Sequence, residues 1–434
     1  MYDPPASRQD LGLPEGFDSV LGQRIIEVHR WAVRAGLGGA SAHDLFDGFC
    51  QRLVADDVPL WRGSVAMRTL HPQWSGYGYT WHRHLNALQP DQWAHGSETS
   101  PVWQKSTFLH LVRRAEAGER TPAMRRALFT GSEVCDFPVL DELLAAGATD
   151  YFSQLFVFGE RGDPAQGSGV VYSFSTDRLG GFNDDDLTLL QASLPALSLA
   201  LKAHAGYVIA SALLQTYLGG DAGRRVHAGA IERGSVESIR AVLWYADIRG
   251  FTAIADAAPE LLIELLDQVF EVLTQSLRKR GAQVLKFLGD GMLATFPVDD
   301  ANCADTCRTA LDAAGEAMHA IAALNAARAA QGKPVAPVDL ALHLGDVLYG
   351  NVGAVDRLDF TVIGPAVNEV ARIEALCEPL NRSVLVSAEL AAASGPSDER
   401  LRPLGYHTLR GVRDAREIYE LVMDRRPYGA QLTS

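Results

Sequence analysis

Cysteine is scarce in this chain: five thiols in 434 residues, scattered and odd in number, at Cys50, Cys135, Cys303, Cys307 and Cys377. That count argues against a disulfide scaffold and suits thiols kept reduced. Positive charge is also in short supply, with 39 Lys plus Arg against 53 Asp plus Glu and a net charge of −14. The chain as a whole therefore has no electrostatic pull toward nucleic acid or an anionic membrane, and any phosphate-bearing partner has to be met locally. The opening residues MYDPPASRQD lack a basic start followed by an apolar run, so no secretory leader is expected. Long uncharged runs are absent with one exception, Leu187 to Gly220, where Lys202 is the only charged residue. A span needs about 20 mostly apolar residues, and here Gln191, Ser193, Pro195, Ser198, His204, Ser211, Gln215 and Thr216 interrupt the run. Leu187, Leu190, Leu194, Leu197 and Leu201 recur at spacings of three and four. The spacing predicts a heptad-like helix that packs on a partner helix or on its own domain, bent or broken at Pro195, and no membrane span.

What is present is ordinary globular material. Hydrophobic residues make up 47% and charged residues 21%, enough for two or three domains, each with its own core. Apolar periodicity predicts helices at 20–35, 42–54 and 137–148, and strands at 151–158 and 169–174. Residues 1–186 thus read as an α/β module. Its close consists of a strand carrying Val170, Val171, Tyr172 and Phe174, the loop STDRLGGFNDDD, and a long helix from Leu187. That ending resembles the close of GAF domains, which implies a sensor-like module and a small-molecule effector. Asp184, Asp185 and Asp186 are expected to be a solvated helix start suited to the helix dipole. His82, Arg83 and His84 with Trp74, Tyr77, Tyr79 and Trp81 are expected on an exposed strand with aromatic cross-strand pairs, the alternative being the lining of a ligand pocket or a haem site. Cys303 and Cys307, four apart on a helix, are expected to be plain thiols rather than a zinc site.

Residues 187–238 form a helical linker that ends in Gly219-Gly220, Gly229 and Gly234. From 239 to 425 the pattern sharpens into strand 239–246, helix 260–280, hairpin strands 283–288 and 292–296, an Ala-rich helix 301–331 and strand 338–344. This is β-α-β-β-α-β, the ferredoxin-like order in which helices cover one face of an antiparallel sheet and leave the other free for a ligand or a second subunit. The overall class is α+β.

The chemistry concentrates at strand ends. Asp247 closes the strand Val242-Leu243-Trp244-Tyr245 and precedes Arg249-Gly250-Phe251-Thr252 and a helix. A carboxylate there, followed by outward backbone N–H groups, can hold a hard cation and cradle phosphates. Asp290 lies at the hairpin tip in Lys286-Phe287-Leu288-Gly289-Asp290-Gly291. The strand order makes these two ends neighbours, and two converging carboxylates repel unless a divalent cation sits between them. Together they suggest a two-metal phosphoryl-transfer site with ions about 3.5–4 Å apart. Asn368 and Arg372 lie four apart on one face of a helix expected to begin after Pro365.

The runs YADIRGFT (245–252), KFLGDG (286–291) and FTVIGPAVNEVAR (360–372), in order, resemble the catalytic domain of class III adenylyl cyclases over roughly 239–422. The resemblance implies conversion of ATP to cyclic AMP and pyrophosphate at sites shared between two catalytic domains. It implies two divalent cations, Mg or Mn, held by Asp247, Asp290 and the Ile248 carbonyl, with phosphates met by amides around Phe251 and Thr252. Lys286 matches the adenine-reading lysine, which donates but cannot accept and so selects the adenine N1 acceptor. Thr361 stands where many members have Asp as second base reader; its hydroxyl can accept from the adenine amino group with weaker discrimination. That departure resembles a threonine-bearing subclass associated with bicarbonate stimulation. Asn368 and Arg372 match the pair that orients the ribose and counters charge on the α-phosphate. Arg410 occupies the place of a phosphate-binding lysine, changing a point charge to a fork, and Arg357 is a further candidate phosphate contact.

Because the family draws both aspartates from one subunit and the lysine, second base reader, Asn and Arg from the other, the resemblance implies a homodimer with two sites. The helix at 187–201 is expected to supply part of it. A cytoplasmic location is expected, with no nucleic-acid partner. The alternatives are a guanylyl or relaxed-specificity cyclase, a silent nucleotide-binding signalling protein, and a related palm-fold enzyme. The last would need its own acidic signature in the hairpin and has no role for Lys286 or the Asn368/Arg372 helix.

Overall fold

A computed structural model of the chain describes residues 19–69, 71, 74–85, 88–128, 137–159, 169–299, 301–395 and 398–423. Cys135 lies outside the described residues. The chain divides into two compact units, Met1–Leu213 and Leu214–Ser434.

The N-terminal unit begins with α1 (Val20–Leu37) and α2 (Ala42–Ala55). Both start on a serine whose hydroxyl accepts an early helix amide, Ser19 from Gly22 at 3.0 Å and Ser41 from Asp44 at 3.1 Å. Then follow β1 (Arg62–Arg68), β2 (Trp74–His82), β3 (Gln89–Ala94), α3 (Pro101–Gln104), α4 (Thr107–Glu116), β4 (Ala123–Ala127), α5 (Pro138–Ala145), β5 (Asp150–Val157), β6 (Gly169–Thr176) and α6 (Asp184–Leu218). The six strands form an antiparallel sheet in the order β3-β2-β1-β6-β5-β4. Side chains alternate across it: Val170, Tyr172 and Phe174 pack with residues of α1, α2 and α6, while Val171, Tyr151 and Leu155 pack with α4 and α5. β2 carries the aromatic residues expected on a strand, whereas the pattern did not suggest β1, where Gly63 interrupts the apolar run and pairing with β2 and β6 makes the strand.

Several expectations for this unit are corrected. Of the two surfaces expected for the leucine stripe, a partner helix or its own domain, the structure shows the second, with Leu190, Leu194, Leu197 and Leu201 buried in the unit's own core. α6 runs unbroken through Pro195. By length and composition alone α6 could cross a membrane, with 28% of its most apolar window buried. Asp186 is not solvated: it is buried, accepts from the Asn183 amide at 2.8 Å, and pairs with Arg178, while Asn183 Oδ1 accepts from the Asp186 amide at 2.8 Å. That reciprocal pair is a capping box. The aromatic strand β2 is not exposed either; Trp81 is buried, and Trp74, Tyr77 and Tyr79 line a cavity of about 350 Å³ with His71, Asp91 and His204.

The C-terminal unit contains α7 (Gly220–His227), β7 (Val236–Ile248), α8 (Phe251–Ala257), α9 (Leu262–Arg278), β8 (Gln283–Leu288), β9 (Gly291–Val298), α10 (Cys303–Ala330), β10 (Val338–Gly353), β11 (Leu358–Ile363), α11 (Pro365–Glu374), α12 (Cys377–Leu380), β12 (Val384–Ser387), α13 (Ala388–Ser394), β13 (Leu401–His407) and β14 (Arg416–Leu421). The sheet order is β13-β14-β12-β10-β7-β9-β8, with β11 paired to β10. Its heart, β10-β7-β9-β8, is the strand order of the β-α-β-β-α-β motif. β12 joins parallel to β10.

Val242, Trp244, Ala246, Leu340 and Leu342 face α9 and α10 and form the main core. The second face, expected from the sequence to be free for a ligand or a second subunit, is covered instead. Leu243, Leu293, Ala341, Leu385 and Ile418 pack beneath Val370 and Ile373 of α11. Central strands with apolar side chains on both faces have to be covered on both.

Candidate active site

β7 and β9 pair with Ala246 opposite Met292, which brings Asp247 level with the hairpin that joins β8 and β9. Leu288 pairs with Gly291, so Gly289 and Asp290 form the tip; Gly289 has φ 69°, in the left-handed region that favours glycine. Gly291 is required for space: a Cβ there would stand 2.8 Å from Asp247 Oδ1. The Asp247 carboxylate thus lies against the hairpin backbone, and the glycine keeps its oxygen open.

On the other side of β7, Asp247 is in register with Asp339 of β10. Asp339 is buried and held by Arg249, whose Nε donates to Oδ2 at 2.8 Å and whose Nη2 also donates to the Arg382 carbonyl at 2.9 Å. Glu374, at the end of α11, completes the group. Burial, then the charges of Asp247, Asp339 and Asp290, push its carboxyl up to about 7. Burial followed by Asp290 and Asp339 pushes Asp247 up to about 6, against an opposing hydrogen bond from the Ile248 backbone. Four carboxylates meet one guanidinium, and that excess of negative charge is the electrostatic signature of a place for cations. The residues fit a divalent-cation site: oxygen donors of the hard type, mutually repelling and only partly neutralised, through Arg249 on Asp339.

Lys286, on β8, donates to Asp359 of β11 at 2.6 Å. Thr361 stands on the same strand two residues on, part-exposed and opposite Gly350 of β10. The structure therefore places Lys286 and Thr361 on two elements joined by an ion pair.

α11 starts with Pro365 after Gly364 at φ 149°. Asn368 and Arg372 line a cavity of about 580 Å³ with Ile363, Glu369, Gly411, Val412 and Arg416. Arg372 reaches over Gly411, where a Cβ would be 3.5 Å from Nη2. Arg410 precedes that glycine and is exposed. Phe251 is part-buried against the core and opens α8 after Gly250 at φ 70°; Thr252 beside it is exposed. The Ile248 side chain is buried in the core. Arg357 is exposed in the β10–β11 turn, where its carbonyl accepts from Ala354 at 2.8 Å. The cavity with Asn368 and Arg372 is lined by none of Asp247, Asp290, Lys286, Thr361, Phe251, Thr252, Arg357 or Arg410. One chain presents the acidic group and the Asn–Arg cavity as separate places.

Sequence reasoning missed Arg249, Asp339, Asp359 and Glu374. Asp339 left a signal, a carboxylate inside the apolar run of β10. Glu374 left little, since its neighbours are brought by tertiary contacts.

The C-terminal unit thus presents an acidic cluster at strand ends of a ferredoxin-like sheet and a polar Asn–Arg helix on the second face. Residues 235–422 match the family described as Adenylate and Guanylate cyclase catalytic domain, and the C-terminal unit carries that domain. Adenylate cyclase 1 of Rhizobium meliloti is 32% identical over 182 residues, 41% of this chain and 27% of that protein. Adenylate cyclase of Anabaena cylindrica is 30% identical over 198 residues, covering 44% and 38%. Adenylate cyclase 2 of Rhizobium meliloti is 30% identical over 225 residues, covering 51% and 60%. The chain thus spans between 27% and 60% of the length of these three relatives. Among solved structures, the adenylyl cyclase CyaB from P. aeruginosa is 26% identical with a TM-score of 0.39, covering 45% of this chain and 100% of that one.

Proposed function

We propose that this protein is an adenylyl cyclase that converts ATP to 3′,5′-cyclic AMP and pyrophosphate at sites built between two copies of the chain. The observation that carries the reading is the convergence of Asp247 and Asp290, with Asp247 raised to about 6 by burial and by its acidic neighbours. Asp247, Asp290 and the Ile248 carbonyl would hold two divalent cations. When bound, Mg or Mn at this position lowers the pKa of a ribose 3′-hydroxyl and polarises the α-phosphate.

The remaining steps belong to side chains. Lys286 donates to the adenine N1 acceptor, and Thr361 accepts from the amino group, which disfavours guanine with its N1–H. To reach a base, Lys286 has to exchange Asp359 for it, an exchange made easy by the exposure of the pair. Asn368 orients the ribose, and Arg372 counters charge that grows on the α-phosphate in the transition state. Amides at Phe251 and Thr252 meet the outer phosphates, with Arg410 and Arg357 as further cationic contacts. The separation of the Asn–Arg cavity from the aspartates within one chain favours a site completed by a second copy.

The reading places the protein in the cytoplasm, where ATP is available and where the free thiols of Cys50, Cys303, Cys307 and Cys377 stay reduced. The aromatic cavity of the N-terminal unit supports a small-molecule effector there. Purified protein incubated with Mg or Mn and with ATP or GTP, followed by product identification, tests the reading. Cyclic AMP is expected. Cyclic GMP formed from GTP at an equal rate indicates relaxed specificity, and no cyclic product from either nucleotide overturns the proposal in favour of a silent nucleotide-binding protein.

A further inference from the structure

Away from the acidic cluster, three ligand-type side chains converge on the second face of the sheet. His343 comes from β10, Glu369 from α11 and Glu389 from the first turn of α13, and one donor atom from each lies within 4.8 Å of the others. The histidine is the informative member. Its side chain is 5% exposed, and its Nδ1 is buried with no hydrogen-bond partner, facing Glu389 Oε2 at 3.7 Å. A buried ring nitrogen without a partner is costly unless something else occupies its lone pair or takes its proton. Arg416 holds Glu369 through Oε1 at 3.0 Å, which fixes the carboxylate against α11. Glu389 is half-exposed and free to swing in. The cavity beside Glu369 supplies an entry path.

We propose that His343, Glu369 and Glu389 bind a single divalent transition-metal ion of the zinc class, with the remaining coordination position open to water. One imidazole and two carboxylates neutralise a dication, and a nitrogen donor selects zinc-like ions over magnesium or calcium. Bonds of about 2.0–2.1 Å in a tetrahedron place donors about 3.3 Å apart. The 3.7 Å pair is close to that, all three donor atoms lie within 4.8 Å of one another, and the exposed Glu389 side chain has room to adjust. Burial also lowers the His343 pKa and keeps the ring neutral, which is the form that ligates. Because Glu369 adjoins Asn368 on α11, a bound ion would tie that helix to β10 and α13. The site stands apart from Asp247 and Asp290, and the proposal does not depend on cyclase activity.

Cobalt(II) titration of the full chain tests this, with Asp247→Asn and Asp290→Asn introduced together so that the acidic cluster does not compete. The expected result is one equivalent bound per chain with the intense visible absorption of near-tetrahedral cobalt, displaced by zinc. Glu389→Gln, at a half-exposed position, is expected to weaken binding by about tenfold or more, and His343→Leu to abolish the band. Absence of the band, or a band and affinity unchanged in Glu389→Gln, overturns the proposal, and the Glu389 variant decides it should His343→Leu fail to fold.

Discussion

Lys286 and Asp359 form an ion pair at 2.6 Å between β8 and β11, so the side chain proposed to read the base is already engaged within its own chain. Both partners are roughly half exposed, and pairs of that kind contribute about 0–1 kcal/mol. Lys286→Ala is expected to leave thermal stability nearly unchanged. It is also expected to lower kcat/KM for ATP by about 10- to 100-fold, the loss of one charge-assisted hydrogen bond. Steady-state kinetics and a melting curve on the same preparation check both halves; a fall in Tm of many degrees would make Lys286 a structural residue.

The acidic cluster gives opposite signs for stability and activity. Asp247→Asn removes a carboxylate that burial and Asp290 raise to about 6, so the metal-free chain is expected to become more stable. Turnover is expected to drop by about 100-fold or more. Added manganese should raise the Tm of the unaltered chain and do much less for Asp247→Asn or Asp290→Asn. A differential scanning measurement with and without Mn separates this from simple destabilisation.

Division of the site between two copies makes a counting prediction. A chain with Asp247→Ala and a chain with Arg372→Ala are each expected to be inactive alone. Random pairing makes half of the dimers mixed, and each mixed dimer has one intact site of two, so mixing should restore about a quarter of full activity. Failure of mixed samples to recover any activity, with exchange of copies verified, would place all these groups in one chain's site.

The contribution of Asp247 and Glu374 to the stability of the metal-free chain should fall as pH rises from about 4 to about 7. Over that window the folded chain holds protons on Asp247 and Glu374, raised to about 6 and about 7, which the unfolded chain has released. Glu374→Gln removes the upper part of this slope. Chemical denaturation at a series of pH values in chelator measures it; equal slopes in Glu374→Gln and the unaltered chain would mean that Glu374 titrates normally.

Arg249 is expected to be the most sensitive charged position of the cluster. Its guanidinium neutralises the buried Asp339 and donates to the Arg382 carbonyl. Arg249→Met leaves that carboxylate buried and unpaired beside Asp247, at a cost of about 3 kcal/mol. Urea unfolding monitored on the C-terminal unit provides the value, and a loss below 1 kcal/mol would show that water or a neighbour replaces the guanidinium.

Much of the architecture was legible because it is local. Hydrophobic patterning marks β5, β6 and β10, apolar periodicity marks α1 and α2, and the Gly289-Asp290 turn announces its hairpin. The order of these elements suffices for the strand order β10-β7-β9-β8, since few topologies connect them without crossing. The same local signals single out Asp247 and Asp290, which sit where strand patterns stop. The aromatic strand β2 was legible as a strand, but β1 was not, because it is imposed by pairing with its neighbours.

Tertiary structure alone decided which faces are occupied. The sequence specified an apolar stripe at Leu190, Leu194, Leu197 and Leu201, but a stripe states only that it is to be buried, not against what; the unit's own sheet and helices cover it. Likewise the composition of α11 allowed a solvated polar helix, whereas its burial of Val370 and Ile373 aims Glu374 at the aspartates and Glu369 at His343. Periodicity along a chain carries the shape of each element, while charge coupling and burial depend on distances between residues far apart in sequence, and those exist only after the elements have packed.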